Sequence, residues 1–298
     1  MFKLIKLLPT EVHFNVMKYS KVFLGIACFF IISSIAILST KSLNYGIDFS
    51  GGVLLEIKTP TPANIEKIRK DLKAFSPEIQ SQGETMDLIS IRLPQGNKNE
   101  AKIAKMLLDV KKILGDKVEY RNTQIVGPKV GSDLIKSGAI AVILSLLVIS
   151  IYIWARFELP FAVGAGLSLL HDIIIAMGLV ALTGIEFNLT TLAALLTLAG
   201  YSINDTVVIY DRIRSNIKRY RNKSLKDIIN ISIDSTFSRT ILTSVTTAFA
   251  VLAIFIFGGE VLRGFSAIML IGIIAGTYSS MLLSTSMLLL FQKNKIKE

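Results

Sequence analysis

FNLTTLAALLTLAGYSINDTVVIYDR, residues 187–212, decides how the rest of the chain is read. Residues 187–210 are apolar enough and long enough to span a bilayer, since crossing ~30 Å at 1.5 Å per residue takes about 20 residues of helix. Yet Asn204 and Asp205 stand inside that stretch. A carboxylate at the centre of a spanning helix costs ~2.5–3.5 kcal/mol on insertion scales, so it signals a partner or a function.

The remainder of the chain has the same setting. Of 298 residues 51% are hydrophobic and only 18% charged, and the mean hydropathy is +0.56. That is too apolar for an ordinary soluble domain. Further spanning runs fall at 22–39, 134–154, 160–182, 240–257 and 265–291. Lys18 and Lys21 precede the first as they would in a signal peptide, but its core is long and no clear small-x-small cleavage site follows, so it reads as a retained helix.

Lysine and arginine set the expected orientation. They gather in 1–21, in the segment from Arg212 to Lys226, and at Lys293, Lys295 and Lys297, whereas the turn between the third and fourth spans has none. Both the N-terminal segment 1–21 and the tail 292–298 are therefore expected on the cytoplasmic side. The net charge of +11 follows from this placement and does not call for a nucleic-acid partner; contact with anionic lipid is the natural expectation for RIRSNIKRYRNK. Cys28 is the single cysteine, and His13 and His171 are far apart, so neither a disulfide framework nor a metal site is expected.

Charge returns over residues 40–133, expected outside the cytoplasmic face and long enough for a small domain. VLLEIKT (53–59) reads as a strand and PANIEKIRKDLKAF (62–75) as an amphipathic helix with Ile65, Ile68 and Leu72 on one face. IQSQGE and DLISIRL read as strands around a turn at 84–87. KNEAKIAKMLLDVKKIL (98–114) is a second helix closed by Gly115, and VEYRNTQIV a last strand. The order β-α-β-β-α-β predicts an α+β, ferredoxin-like domain between the first two of six transmembrane helices, a plan that hosts many functions. Before it lies YGIDFSGG (45–52), whose Gly46, Gly51 and Gly52 suggest a tight hinge turn that Asp48 orients through backbone hydrogen bonds. It lacks the Lys-Ser/Thr of a phosphate loop.

In the fourth span Thr190, Thr197, Tyr201, Asn204 and Asp211 recur near the helical repeat, with Asp205 beside them. Counted from Asp211, Asp205 lies ~9 Å in from the cytoplasmic end. In the fifth span Arg239, Thr243, Thr246 and Ala250 share a face, and Arg239 reaches a comparable depth, which makes an Asp205–Arg239 pair geometrically plausible. In the third, Asp172 beside His171 lies ~18 Å in, close to mid-membrane. The ionisation of a carboxylate in such surroundings depends on its burial and on nearby charge, so it can load and release a proton as those surroundings alternate. Blander readings stand beside this one. Asp205 can be a static link between helices, Asp172 and His171 a fixed hydrogen-bonded pair, and Arg239 a side chain snorkelling to headgroups. Gly272 and Gly276 read as a packing surface. No nucleophile–base pair, metal cluster or phosphate loop suggests an enzyme.

GIDFSGG, the His171-Asp172 pair, AGYSINDTVVIYDRIRSN (199–216), STFSRTILTS (235–244) and FGGEVLRGFSAIMLIGIIAGTYSS (257–280) together resemble the SecF-type members of the bacterial SecD/SecF family. The resemblance covers nearly the whole chain. It implies kinship with the resistance-nodulation-division transporters, a place in the bacterial inner membrane, and a twelve-helix assembly with SecD. That assembly would use the proton motive force, or a Na⁺ gradient, to draw unfolded secretory polypeptides from the SecYEG channel, with H⁺ or Na⁺ as coupling ion and no other cofactor. On this resemblance the ion-linked aspartate is Asp205 and its arginine Arg239. The competing expectation is a transporter half of the same superfamily that exports small or lipidic molecules.

Overall fold

A computed structural model describes residues 15–60, 64–82, 87–94, 100–115 and 118–292. The expected turn at 84–87, the start of the second domain helix at 98–99, and the basic residues of 1–14 and 293–298 lie wholly or partly outside them. The chain divides into two compact units, residues 1–44, 142–185 and 190–298 forming one and residues 45–141 with 186–189 the other.

Among its described residues the second unit has four main strands, β2 (Gly52–Lys58), β3 (Glu78–Gln82), β4 (Leu88–Leu93) and β5 (Glu119–Val126), following a short β1 (Asn44–Tyr45). They form an antiparallel sheet in the order β3-β4-β2-β5, with Leu55 opposite Ile91 and Thr123. Helices α3 (Ile65–Asp71) and α4 (Glu100–Leu114) make the two crossovers. With β2 and β3 parallel but separated by β4, this is the split arrangement expected of the ferredoxin-like plan. Val53, Leu55 and Ile57 of β2, Ile89, Ile91 and Leu93 of β4, and Leu72 and Val110 from the helical segments are completely buried. Burial of each large aliphatic side chain stabilises the fold by ~1.5–3 kcal/mol. Asn64 caps α3, its side chain accepting from the Lys67 N–H at 3.0 Å. The 45–52 turn contains a single helical turn, α2 (Ile47–Ser50), absent from the sequence expectation. Gly51 and Gly52 follow it at φ 69° and 133°, a region that side chains disfavour.

Among the described residues, six helices are long and apolar enough to cross a membrane. They are α1 (Ser20–Lys41), α5 (Pro128–Arg156), α6 (Leu159–Thr183), α7 (Leu189–Arg219), α8 (Leu225–Phe257), and a last one built from α9 (Gly259–Tyr278), a π-helical turn at Ser279–Leu283 and α10 (Ser284–Gln292). The two-residue β6 (Glu186–Phe187) lies between α6 and α7. In α6, α7 and the last helix 56% of the spanning window is buried, against 11–17% in α1, α5 and α8. The first three therefore make the centre of the bundle, and the others present their apolar faces outward. Small residues allow the close approaches. A Cβ at Gly178 would strike Ser34, one at Gly272 would strike Leu198, and one at Gly276 would meet Ser202 at 3.4 Å.

The helices run past the apolar boundaries read from the sequence, most of all α7 and α8. The basic segment expected as a loop from 211 to 239 is helical except at 220–224. Its apolar residues continue the helical repeat, and Tyr210, Ile213, Leu225, Ile229 and Ile233 share one buried cluster with Phe157 and Phe161. Hydropathy marks where a helix enters lipid and leaves unmarked where an amphipathic helix stops. Ser224 starts α8, accepting from the Asp227 N–H and donating to its carboxylate at 2.6 Å. Arg239 thus sits in mid-helix rather than at the helix end that the sequence suggested.

Candidate functional site

Helices α7 and α8 are antiparallel across the 220–224 turn, which sets their residues in register. Asp205 lies fourteen residues before the end of α7 at Arg219, and Arg239 fourteen after the start of α8 at Leu225. At 1.5 Å per residue both stand ~21 Å from the turn, at one level. Hydrogen bonds on either side support the alignment: Tyr201 donates to Ser244 Oγ at 3.4 Å, Arg212 Nε to Ser235 Oγ at 2.9 Å, and Asn216 Nδ2 to Ser232 Oγ at 2.9 Å.

Asp205 is 5% exposed, and its Oδ2 has no hydrogen-bond partner among the described residues. Arg239 is the opposite charge at its level, but among the described residues no ion pair of 4.0 Å or less joins them. The expected pair is aligned but not closed. Next to the buried Asp205 and about 100° round the helix from it, Asn204 is exposed, as are Arg239 and Thr246, while Tyr201 and Thr243 are half-buried. Thr243 and Thr246 donate to the carbonyls of Arg239 and Leu242 in their own helix, so their hydroxyls are used locally. Thr240 Oγ1, completely buried, has no partner.

Asp172 is bonded through both oxygens. Its Oδ1 is 2.9 Å from His171 Nδ1, and its Oδ2 accepts from Ser202 Oγ at 2.5 Å and Ser279 Oγ at 2.6 Å. The cluster extends through Thr206, which donates to Ser280 Oγ at 2.9 Å, and Ser280, which donates to the Ser202 carbonyl at 3.0 Å. The π turn explains why two consecutive serines serve one cluster: its extra residue per turn brings both Ser279 and Ser280 to the inner face. Ser202, Thr206 and Ser279 were not singled out by sequence reasoning. The one signal was the Ser/Thr density of TYSSMLLSTS. Asp211, from which the depth of Asp205 was counted, pairs with Arg156 at 2.5 Å on an exposed face.

In the α+β unit the hinge residues surround the tetrapeptide 186–189. Asp48 accepts the Leu189 N–H at 2.9 Å, the first residue of α7, and the Gly46 N–H donates to the Phe187 carbonyl at 2.8 Å. A Cβ at Gly46 would overlap the Glu186 carboxylate and stand 2.9 Å from Asn188 Cβ. The expected role of Asp48 in orienting its own turn is thus exercised on a segment 141 residues away.

A small α+β unit and, among the described residues, six membrane-length helices define a multi-pass membrane protein with a buried acid level with an arginine. Residues 106–294 match the family described as Protein export membrane protein SecD/SecF, C-terminal, and residues 36–63 match the SecD/SecF GG Motif. The chain belongs to the SecD/SecF family of multi-pass protein export membrane proteins. It is similar to Protein translocase subunit SecF of Rickettsia felis and of Rickettsia conorii, each 41% identical over 99% of this chain and 97% of the relative. Among solved structures, SecDF from Thermus thermophilus is similar over 96% of this chain at 30% identity, with a TM-score of 0.87. A SecDF structure in the super-membrane-facing form aligns at 31% identity and a TM-score of 0.71. This chain spans 40% of each of those SecDF chains.

Proposed function

We propose that the chain is the SecF-type subunit of an ion-driven protein-export machine, lying in the bacterial plasma membrane with both termini in the cytoplasm. Its partners are SecD, the SecYEG channel and unfolded secretory polypeptides, and its coupling ion is H⁺ or Na⁺. The observation that carries this reading is the buried Asp205 oxygen without a hydrogen bond, level with Arg239 on the neighbouring helix. Loading the carboxylate with a proton removes its attraction to the guanidinium; releasing the proton restores it. Each change favours a different packing of α7 against α8, which is how ion flow selects between conformations.

The exposed polar stripe supports a second membrane half as partner. Asn204, Arg239 and Thr246 face outward at the depth where lipid contact with a charge is costly, and a facing protein would cover them. Full-length similarity to translocase subunits favours export of polypeptides over transport of small or lipidic molecules.

Export into SecYEG-containing vesicles with SecD present tests the reading. Asp205→Asn should leave the complex assembled and abolish the stimulation by an imposed gradient. Parallel proton and sodium gradients identify the ion. Undiminished stimulation in this variant under both gradients would refute the coupling role.

A further inference from the structure

Residues 186–189, which lead into α7 and include its first residue, are held by the α+β unit. Glu186 Oε2 is 2.7 Å from Arg92 Nη2. That arginine projects from β4 of the sheet with its side chain only 12% exposed, and its Nη1 donates to the Tyr45 carbonyl at 2.9 Å. The Phe187 ring stacks on Phe49 at 5.5 Å between centroids and meets Tyr45 edge-on at 6.1 Å. Leu189 donates its N–H to Asp48. The absence of a side chain at Gly46 leaves the space in which the Glu186 carboxylate lies. These contacts place 186–189 with the α+β unit, although the sequence runs directly on into a membrane helix.

That helix is α7. Leu189 is its first residue and Asp205 lies on the same uninterrupted helix, sixteen residues or ~24 Å further along. A helix is stiff along its axis because its hydrogen bonds run nearly parallel to it. A shift of α7 produced at Asp205 therefore arrives at Leu189 with little loss, and the grip on 186–189 determines whether the sheet follows.

We propose that Arg92 and Asp48 are positioning residues for energy coupling: through Glu186 and the Leu189 N–H they hold residues 186–189, the last of which is the first residue of the helix that carries Asp205, to the α+β unit. The inference rests on the ion-coupling role of Asp205 and adds the route by which that role reaches the domain. Asp48 holds the helix end, where a carboxylate is favoured by the unpaired N–H groups and the helix dipole. Arg92 holds the preceding turn to the sheet through a charge-assisted bond.

The test uses the complex with SecD in SecYEG-containing vesicles, comparing export with and without an imposed gradient. Arg92→Glu and Glu186→Arg, each alone, should lower the gradient-dependent increment by roughly fivefold or more, the lower end of ordinary coupling factors. Export without a gradient and co-purification with SecD should be unchanged. The double exchange Arg92→Glu/Glu186→Arg should recover most of the increment, which a merely structural defect at either position would not allow. Should a single charge reversal fail to assemble, Glu186→Gln is read in the same way. A full increment in the single variants, or no recovery in an assembled double exchange, overturns the clamp. Asp205→Asn run alongside separates the two ideas. If it abolishes the increment while Arg92→Glu keeps it, only the clamp is lost; if Asp205→Asn keeps the increment, the coupling role and the clamp both fall.

Discussion

Among the described residues two carboxylates are buried in the helical bundle, and their surroundings are opposite. Asp172 is 0% exposed and accepts from or pairs with three side chains contributed by three helices, so both of its oxygens are occupied. Asp205 is almost as buried, yet one oxygen has no partner and its nearest opposite charge has not closed on it. A buried polar group that is fully satisfied rigidifies the packing around it, and one left unsatisfied carries a free-energy cost that another arrangement can relieve. The contrast assigns Asp172 to holding α6, α7 and the last helix together, and leaves Asp205 as the group that gains from a rearrangement. On this ground Asp172, which sequence reasoning placed beside Asp205 as an ion-coupling candidate, becomes the weaker proposal of the two.

Substitutions can break or sharpen this contrast. The largest effect is expected at Asp205 and in function alone. Asp205→Asn should reduce the gradient-dependent increment of export about tenfold or more, while its unfolding free energy in detergent changes by less than ~1 kcal/mol, since no hydrogen bond is lost. A comparable loss of stability would show that Asp205 is another structural link. Next comes Asp172→Ala, which takes the partner from His171 Nδ1 and Ser202 Oγ, leaves Ser279 Oγ only the Gly276 carbonyl, and should destabilise the chain by about 2–4 kcal/mol in the same unfolding measurement.

Ser202→Ala and Ser279→Ala each remove one donor to Asp172 and should cost about 0.5–1.5 kcal/mol, readable as a lowered unfolding midpoint. Two such variants with wild-type stability would mean that the cluster is not the bundle's fastener. The smallest effect is expected at the exposed Arg156–Asp211 pair. Arg156→Ala should change stability by ~0–1 kcal/mol, less at high salt, and leave gradient-driven export intact.

Much of the architecture was legible in local patterns. Runs of apolar residues located six spans, and the alternation of residues 53–59 and 87–93 with two amphipathic helices located the outer domain. Asp205 stood out because a carboxylate among Leu, Ile and Val is anomalous whatever surrounds it. Less legible was anything set by where an amphipathic helix ends. The span boundaries at 210 and 240 mark the loss of hydropathy, whereas α7 and α8 continue to Arg219 and back to Leu225, kept helical by the burial of Ile213 and Ile229. That difference moved Arg239 from a helix end into mid-helix, at the depth beside Asp205 that the sequence already suggested. Equally hidden were the partners of Asp172 on α7 and the π turn, and the grip of Asp48 and Arg92 on residues 186–189, which join segments about 30 to 140 residues apart.

The sequence by itself determined the environment of this protein, its element order and the presence of an acid in an apolar helix, because hydropathy and periodicity are properties of neighbouring residues. Tertiary structure alone decided which acid is bonded and which is left with a free oxygen. A hydrogen bond depends on ångström-scale distances between segments remote in the chain, and only packing brings those together.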